Sequence, residues 1–95
     1  MRDYELILLI DPEADEERLG GVMERVKRTA ESHGGSVSSE DNWGKRKLAY
    51  KIGTHTEATY HQAHLSMDAD GTKELDNILK LNEDVIRHLL VRQEV

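Results

Sequence analysis

Asp41-Asn42-Trp43-Gly44-Lys45-Arg46-Lys47-Leu48-Ala49-Tyr50-Lys51-Ile52 holds the chain's single Trp, a Gly break, its densest cluster of positive charge and an alternating apolar series. Period two places Arg46, Leu48, Tyr50 and Ile52 on one side of a strand and Lys45, Lys47, Ala49 and Lys51 on the other. The segment reads as the later part of one long, bent strand that starts near Val37, is interrupted at Gly44 and resumes at Leu48. Its apolar set is expected to pack under helices, with Lys45, Lys47 and Lys51 projecting from the open face or edge and Arg46 near the strand's fringe.

Downstream, residues 53–56 make a turn, and residues 59–67 carry Tyr60, Ala63, Leu65 and Met67 as a third strand. The change of parity after Tyr60 points to a bulge or a fringe residue. Upstream, residues 4–10 alternate as a strand with apolar residues on both faces, the pattern of a central position, and Asp11-Pro12 ends it. Asp15 can cap a helix over about residues 16–32, whose Leu19, Val22, Met23, Val26 and Ala30 share one stripe. Gly34-Gly35 supplies the stop. Gly20-Gly21 inside this helix costs about 1 kcal/mol per Gly relative to Ala, which packing or a close approach to the sheet must offset. Asp70 or Thr72 can cap a second, shorter helix with Leu75, Ile78 and Leu79 on one face, and residues 85–92 give a fourth strand.

The order is βαββαβ, so the fold class is α+β: a ferredoxin-like sandwich with two crossover helices on one face of a four-stranded antiparallel sheet. Right-handed crossovers make the first and third strands central and leave the second and fourth at the edges. Ninety-five residues fit one domain, spanning 1–95. The sheet face opposite the helices is free for a partner.

With no cysteine, disulfides, thiolate metal sites and cysteine nucleophiles are excluded. The start lacks the apolar length and cleavage site of a signal peptide, and no run approaches the roughly 20 residues of a membrane span, so a soluble, cytoplasmic protein without membrane contact is expected. The net charge of −6, from 19 acidic and 13 basic residues, argues against indiscriminate nucleic-acid binding. Lys45, Arg46, Lys47 and Lys51 nevertheless form a local basic site free of acids.

Cations there can neutralise phosphates, and Trp43 or Tyr50 can stack on a base or fill a protein interface. The plainer account is an edge strand that lysines keep from pairing with other chains. Arg2, Arg87 and Arg92 can extend the positive area across the sheet or serve as ordinary surface charge. His61 and His64, three apart in a strand, point to opposite faces, and no suitably spaced acid or cysteine completes a metal site. The acidic run from Asp11 to Glu17 lacks the glycine and terminal Glu of an EF-hand and reads as helix capping and solvation. No phosphate-binding glycine loop or nucleophile elbow occurs, so neither an enzyme nor a cofactor is expected.

The segment Trp43-Gly44-Lys45-Arg46-Lys47-Leu48-Ala49-Tyr50-Lys51-Ile52 resembles the signature of the bacterial small-subunit ribosomal protein S6 family. Three further matches fall in register: Met1-Arg2-Asp3-Tyr4-Glu5, Asp11-Pro12 after the first strand, and Leu81-Asn82-Glu83-Asp84-Val85-Ile86-Arg87 leading into the last. The resemblance spans the chain. It implies the βαββαβ fold and a non-catalytic protein of translation that binds the central domain of small-subunit rRNA as a heterodimer with ribosomal protein S18. By this likeness Arg2, Tyr4, Arg46, Lys47, Tyr50 and Arg87 match positions on the RNA-facing side. Lys45 and Arg92 join them from local charge, and Asp41, Asn42 and Trp43 are the expected partner interface. Many relatives carry Pro where this chain has Lys51, an aromatic-rich third strand where it has only Tyr60, and a C-terminal tail.

Three rivals share the fold, of which an acylphosphatase-like enzyme lacks a visible phosphate-binding loop. A single-strand-reading RNA module needs stacking aromatics that the third strand lacks. A dimeric regulator binding a small ligand needs a defined apolar pocket and a self-complementary interface.

Overall fold

The computed structural model of the chain describes residues 1–93. The elements are β1 (Arg2–Ile10), α1 (Glu16–Ser32), β2 (Ser36–Ile52), β3 (His55–Met67), α2 (Gly71–Leu81) and β4 (Val85–Gln93). The strands form one antiparallel sheet in the order β2-β3-β1-β4, so the first and third strands are central, as two right-handed crossovers require.

Alternation in β1 divides the two faces. Tyr4, Leu6, Leu8 and Ile10 are buried against the helices, together with Ala63, Leu65 and Met67 of β3. Val22, Met23, Val26 and Ala30 of α1 and Leu75 and Leu79 of α2 close this core from above. Ile7 and Leu9 point the other way, onto the face that no helix covers, and stay half-exposed.

The ends of α1 follow from local chemistry. The Asp15 carboxylate accepts from the Arg18 N–H at 2.9 Å, and Gly34 takes the positive φ of +82° that stops the helix. At Gly35 a side chain is impossible without rearrangement, because a Cβ would lie 1.7 Å from the Ser66 carbonyl oxygen, where β2 begins to pair with β3. Neither proposed residue caps α2 through its side chain: Asp70 makes no capping bond, and Thr72, already inside the helix, donates its hydroxyl to the Ala69 carbonyl at 2.8 Å.

Three expectations need correcting. Gly20 and Gly21 lie on the exposed side of α1, and a Cβ added at either would meet nothing within 4 Å, so no close approach to the sheet explains them. The hairpin turn is confined to Gly53-Thr54, since Ile52 pairs with His55 and β3 begins there. The β1–β3 register runs without a shift from Arg2↔Met67 to Ile10↔Thr59, so β3 has no bulge at Tyr60. Tyr60 simply occupies the open face, opposite Leu9.

These glycines predict opposite stability effects. Gly21→Ala should raise stability by about 0.5–1 kcal/mol in a denaturant titration, through helix propensity alone. Gly35→Ala should lower it by about 1–3 kcal/mol or more, through overlap with the Ser66 backbone.

Candidate nucleic-acid interface

The irregularity inferred for β3 resides in its neighbour. Asn42 pairs with His61 and Gly44 with Tyr60, which leaves Trp43 as an extra residue in β2. Gly44 has φ +81°, a conformation that glycine adopts without a Cβ clash. The Asn42 side-chain oxygen accepts from the Gly44 N–H at 2.8 Å and fixes the turn of the chain. Trp43 lies parallel to Tyr60, with centroids 6.4 Å apart and planes 10° apart, while its indole N–H donates to Asp41 Oδ2 at 3.1 Å. The three residues expected at a partner interface therefore first hold this bulge together.

The extra residue resets the parity of Gly44 to Lys47, before the register shifts again between Lys47 and Ile52. Arg46 pairs with Ala58, which shares the open side with Tyr60. Leu48, Ala49, Tyr50 and Ile52 meet Leu9, Tyr60 and Arg87 around a recess of about 130 Å³ on that side. This overturns the expectation that the apolar series packs under the helices. The helix-side core ends near the Ile10↔Thr59 pair, so the last turns of the β2–β3 ribbon extend beyond any central strand. Lys45 and Lys47, opposite Thr59 and Glu57, take the other side of the ribbon, the reverse of the expected assignment.

The eight expected RNA contacts are therefore divided. Arg46, Tyr50 and Arg87 share the open corner, where Arg87 Nη1 donates to the Tyr50 hydroxyl at 3.2 Å and Arg46 Nε donates to the Trp43 carbonyl at 3.4 Å. Tyr50 is 66% exposed. Lys45 and Lys47 are exposed on the opposite side of the same ribbon. Tyr4, by contrast, is 5% exposed within the core, so its ring cannot meet RNA at the open face. Arg2 and Arg92 sit by pairing beside Met67 and Tyr4, on the helix-side parity and at the far end of the sheet. At about 3.3 Å per residue they lie roughly 20 Å from the Arg87 corner. Leu9, Leu48 and Tyr60 belong to the corner although residue types did not single them out. The odd parity of Tyr60 was the available signal.

Both edges of the sheet are tied to helices by charge. Glu40 on β2 faces Lys27 Nζ of α1 at 3.0 Å and His61 Nε2 of β3 at 3.1 Å. Partial burial pushes its carboxyl up, but the hydrogen bonds from Lys27 and His61 outweigh this and hold it below the ordinary Glu range. On β4, His88 Nε2 lies 2.7 Å from Asp76 of α2, and His88 followed by Lys80 lowers the Asp76 carboxyl. That pair sits in a groove of about 420 Å³ between α2 and β4, where its polar groups satisfy each other. His61 and His64 do point to opposite faces, the first toward Glu40 and the second toward Glu5.

A four-stranded sheet with one helix-covered face, one open face and a projecting basic ribbon defines a ferredoxin-like binding scaffold. The family profile described as Ribosomal protein S6 matches residues 3–92. A small ribosomal subunit protein bS6 from Beutenbergia cavernae is 42% identical over 94 residues, covering 99% of this chain and 98% of that one. One from Desulforamulus reducens is 38% identical, covering 98% of each. The crystal structure of 30S ribosomal protein S6 from Thermotoga maritima superposes with a TM-score of 0.85 at 30% identity, over 97% of this chain and 87% of that one. The C-terminal domain of MgtC from Mycobacterium tuberculosis, at a TM-score of 0.66 and 14% identity, shares the fold alone. The chain belongs to the ribosomal protein S6 family of the small ribosomal subunit, whose members are structural proteins and not enzymes.

The Glu40 clamp predicts an acid-sensitive edge. A carboxyl held low in the folded state contributes stability above its unfolded pKa and loses that contribution as pH falls through the folded value. Glu40→Gln should melt below wild type at about pH 7, and the gap should narrow as pH falls from about 5 toward 3. Thermal unfolding followed by circular dichroism across that window measures the gap.

Proposed function

We propose that the chain binds the central domain of small-subunit rRNA, in the cytoplasm, as a heterodimer with ribosomal protein S18. The observation that supports this best is the projecting ribbon. It presents Lys45 and Lys47 on one side and Arg46, beside Tyr50 and Arg87, on the other, beyond the acidic body of the domain. A two-stranded finger with cations on both sides can lie between phosphate backbones of a folded RNA, and such recognition depends on RNA shape more than on single-strand sequence. Tyr50 adds a ring that can stack on an unpaired base. Four to six phosphate contacts would give a log–log salt slope of roughly −3 to −5, which makes binding by the isolated acidic chain weak and gives a basic partner a clear role. Arg2 and Arg92 lie too far from this corner to act with it and would serve a second strand of RNA at the opposite end of the sheet.

A dimeric small-ligand regulator is the weaker reading, because in the α2–β4 groove Asp76 and His88 satisfy each other, which leaves Thr72 and Lys73 at its polar side.

Arg46→Ala combined with Lys47→Ala should weaken binding of the S18 complex to a central-domain rRNA fragment by about tenfold or more and flatten the salt slope by about 2. Thermal unfolding should stay within about 0.5 kcal/mol of wild type, since both side chains are exposed. Unchanged affinity and slope in filter-binding titrations would remove the ribbon from the RNA interface. Failure of the wild-type chain to pair or bind would remove the ribosomal assignment of partner and RNA site.

A further inference from the structure

Three residues on three strands line up across the open face, away from the ribbon corner. Glu5 of β1 pairs with His64 of β3, and His64 pairs with Ser39 of β2. Direct cross-strand partners share a face, so the three side chains stand in a row. The register of β2 shifts between Val37 and Ser39, which brings Ser39 rather than Ser38 opposite His64. Ser38 Oγ instead donates to the His64 carbonyl at 3.1 Å and helps to hold that backbone in place.

The row has an electrostatic direction. Gln62 Nε2 donates to the Glu5 carboxylate, which stands 3.5 Å from His64 Nε2, and His64 Nδ1 lies 3.1 Å from Ser39 Oγ. A carboxylate beside Nε2 favours the proton on that nitrogen, which leaves Nδ1 with a free lone pair to accept the Ser39 hydroxyl proton. Nucleophile, base and orienting acid thus occur in the order that activates a serine. Ser39 is exposed, and Asp3, Ser38, Ser39, His64 and Gln93 are among the residues lining an open recess of about 390 Å³. Asp3 and Glu5 repel anions, so the recess suits an uncharged molecule.

We propose that Ser39 is a nucleophilic modification site, activated by His64 and positioned through Glu5, that accepts an acyl group from small, uncharged aryl esters. Nucleophile and base are in place, so the donor must bring a good leaving group. Ser39 Oγ bonds to the acyl carbon as its proton passes to His64 Nδ1. The bond from that carbon to the aryl oxygen then breaks, and the oxygen leaves with the electron pair and takes the proton from His64. The products are a seryl ester and a phenol. One acyl group is taken up per chain, a modification and not a turnover, as suits a family of structural proteins.

Treatment of the full chain with p-nitrophenyl acetate, followed by peptide mapping in a mass spectrometer, tests this. Ser39 should be acetylated at least about tenfold faster than Ser38, its exposed neighbour, and His64→Gln should bring Ser39 down to the Ser38 rate. Glu5→Gln should slow Ser39 by about threefold or more. Because Glu5 acts through His64, its effect has a separate signature in nitrogen-15 NMR of the imidazole. At about pH 8, where an ordinary histidine is neutral, the His64 ring should carry its proton on Nε2, and Glu5→Gln should increase the Nδ1–H form. If either variant fails to fold by circular dichroism, the wild-type ratio of Ser39 to Ser38 and the wild-type tautomer decide the matter. Equal rates at the two serines, acetylation confined to lysines, Ser39 acetylation untouched by His64→Gln, or a wild-type Nδ1–H ring would each overturn the inference.

Discussion

One extra residue, Trp43, governs how this molecule faces its surroundings. The sheet core is set by β1, whose register with β3 is unbroken, and that register alone would continue the alternation of β2 to its tip. The bulge breaks the continuation. Gly44 accepts the positive φ, Asn42 holds the Gly44 amide, and the Trp43 ring rests on Tyr60. With one residue absorbed, Arg46 turns to the open side and Lys45 and Lys47 to the other, and across a second register shift Leu48 and Tyr50 line the open-face recess. A contact among aromatic rings in the sheet thus decides which charges a partner meets.

The rest of the fold keeps that arrangement in place at modest expense. The helix-side core is almost wholly aliphatic and contains no Phe, with Tyr4 its one aromatic ring. Each sheet edge carries a histidine–carboxylate contact, Glu40 of β2 with His61 of β3 and His88 of β4 with Asp76 of α2. Lys27 reaches Glu40 from α1, and Arg18 of α1 reaches Asp84 just before β4. Exposed pairs of this kind contribute little singly. Their positions at both edges matter more than their individual strength, because the edges are where an open sheet frays or pairs wrongly.

The fold was legible because its signals are local and repetitive. The period-two pattern of residues 4–10, the 3.6-residue stripe from Leu19 to Ala30, and the Asp15 cap each have a single structural solution. The order of elements then restricts the topology to β2-β3-β1-β4. The site was legible only in composition. Alternation in the sequence after Gly44 does not say which way the residues face, since a one-residue bulge inverts the strand beyond it and a second register shift follows Lys47. Tyr60 carries the missing information in its parity, but parity alone does not say which of two paired strands is irregular. Tyr4 fails as an RNA contact for a related reason. A motif match cannot distinguish a tyrosine with its ring in the core from one at the surface.

Nuclear Overhauser effects around Tyr50 measure the facing of the ribbon most directly. If the bulge orients the chain as described, the Tyr50 ring should show contacts with Leu9 methyls and Arg87 side-chain protons, and the Trp43 indole with the Tyr60 ring. Contacts from Tyr50 to Leu8, or to α1 residues such as Val22, would place the series under the helices and contradict the account.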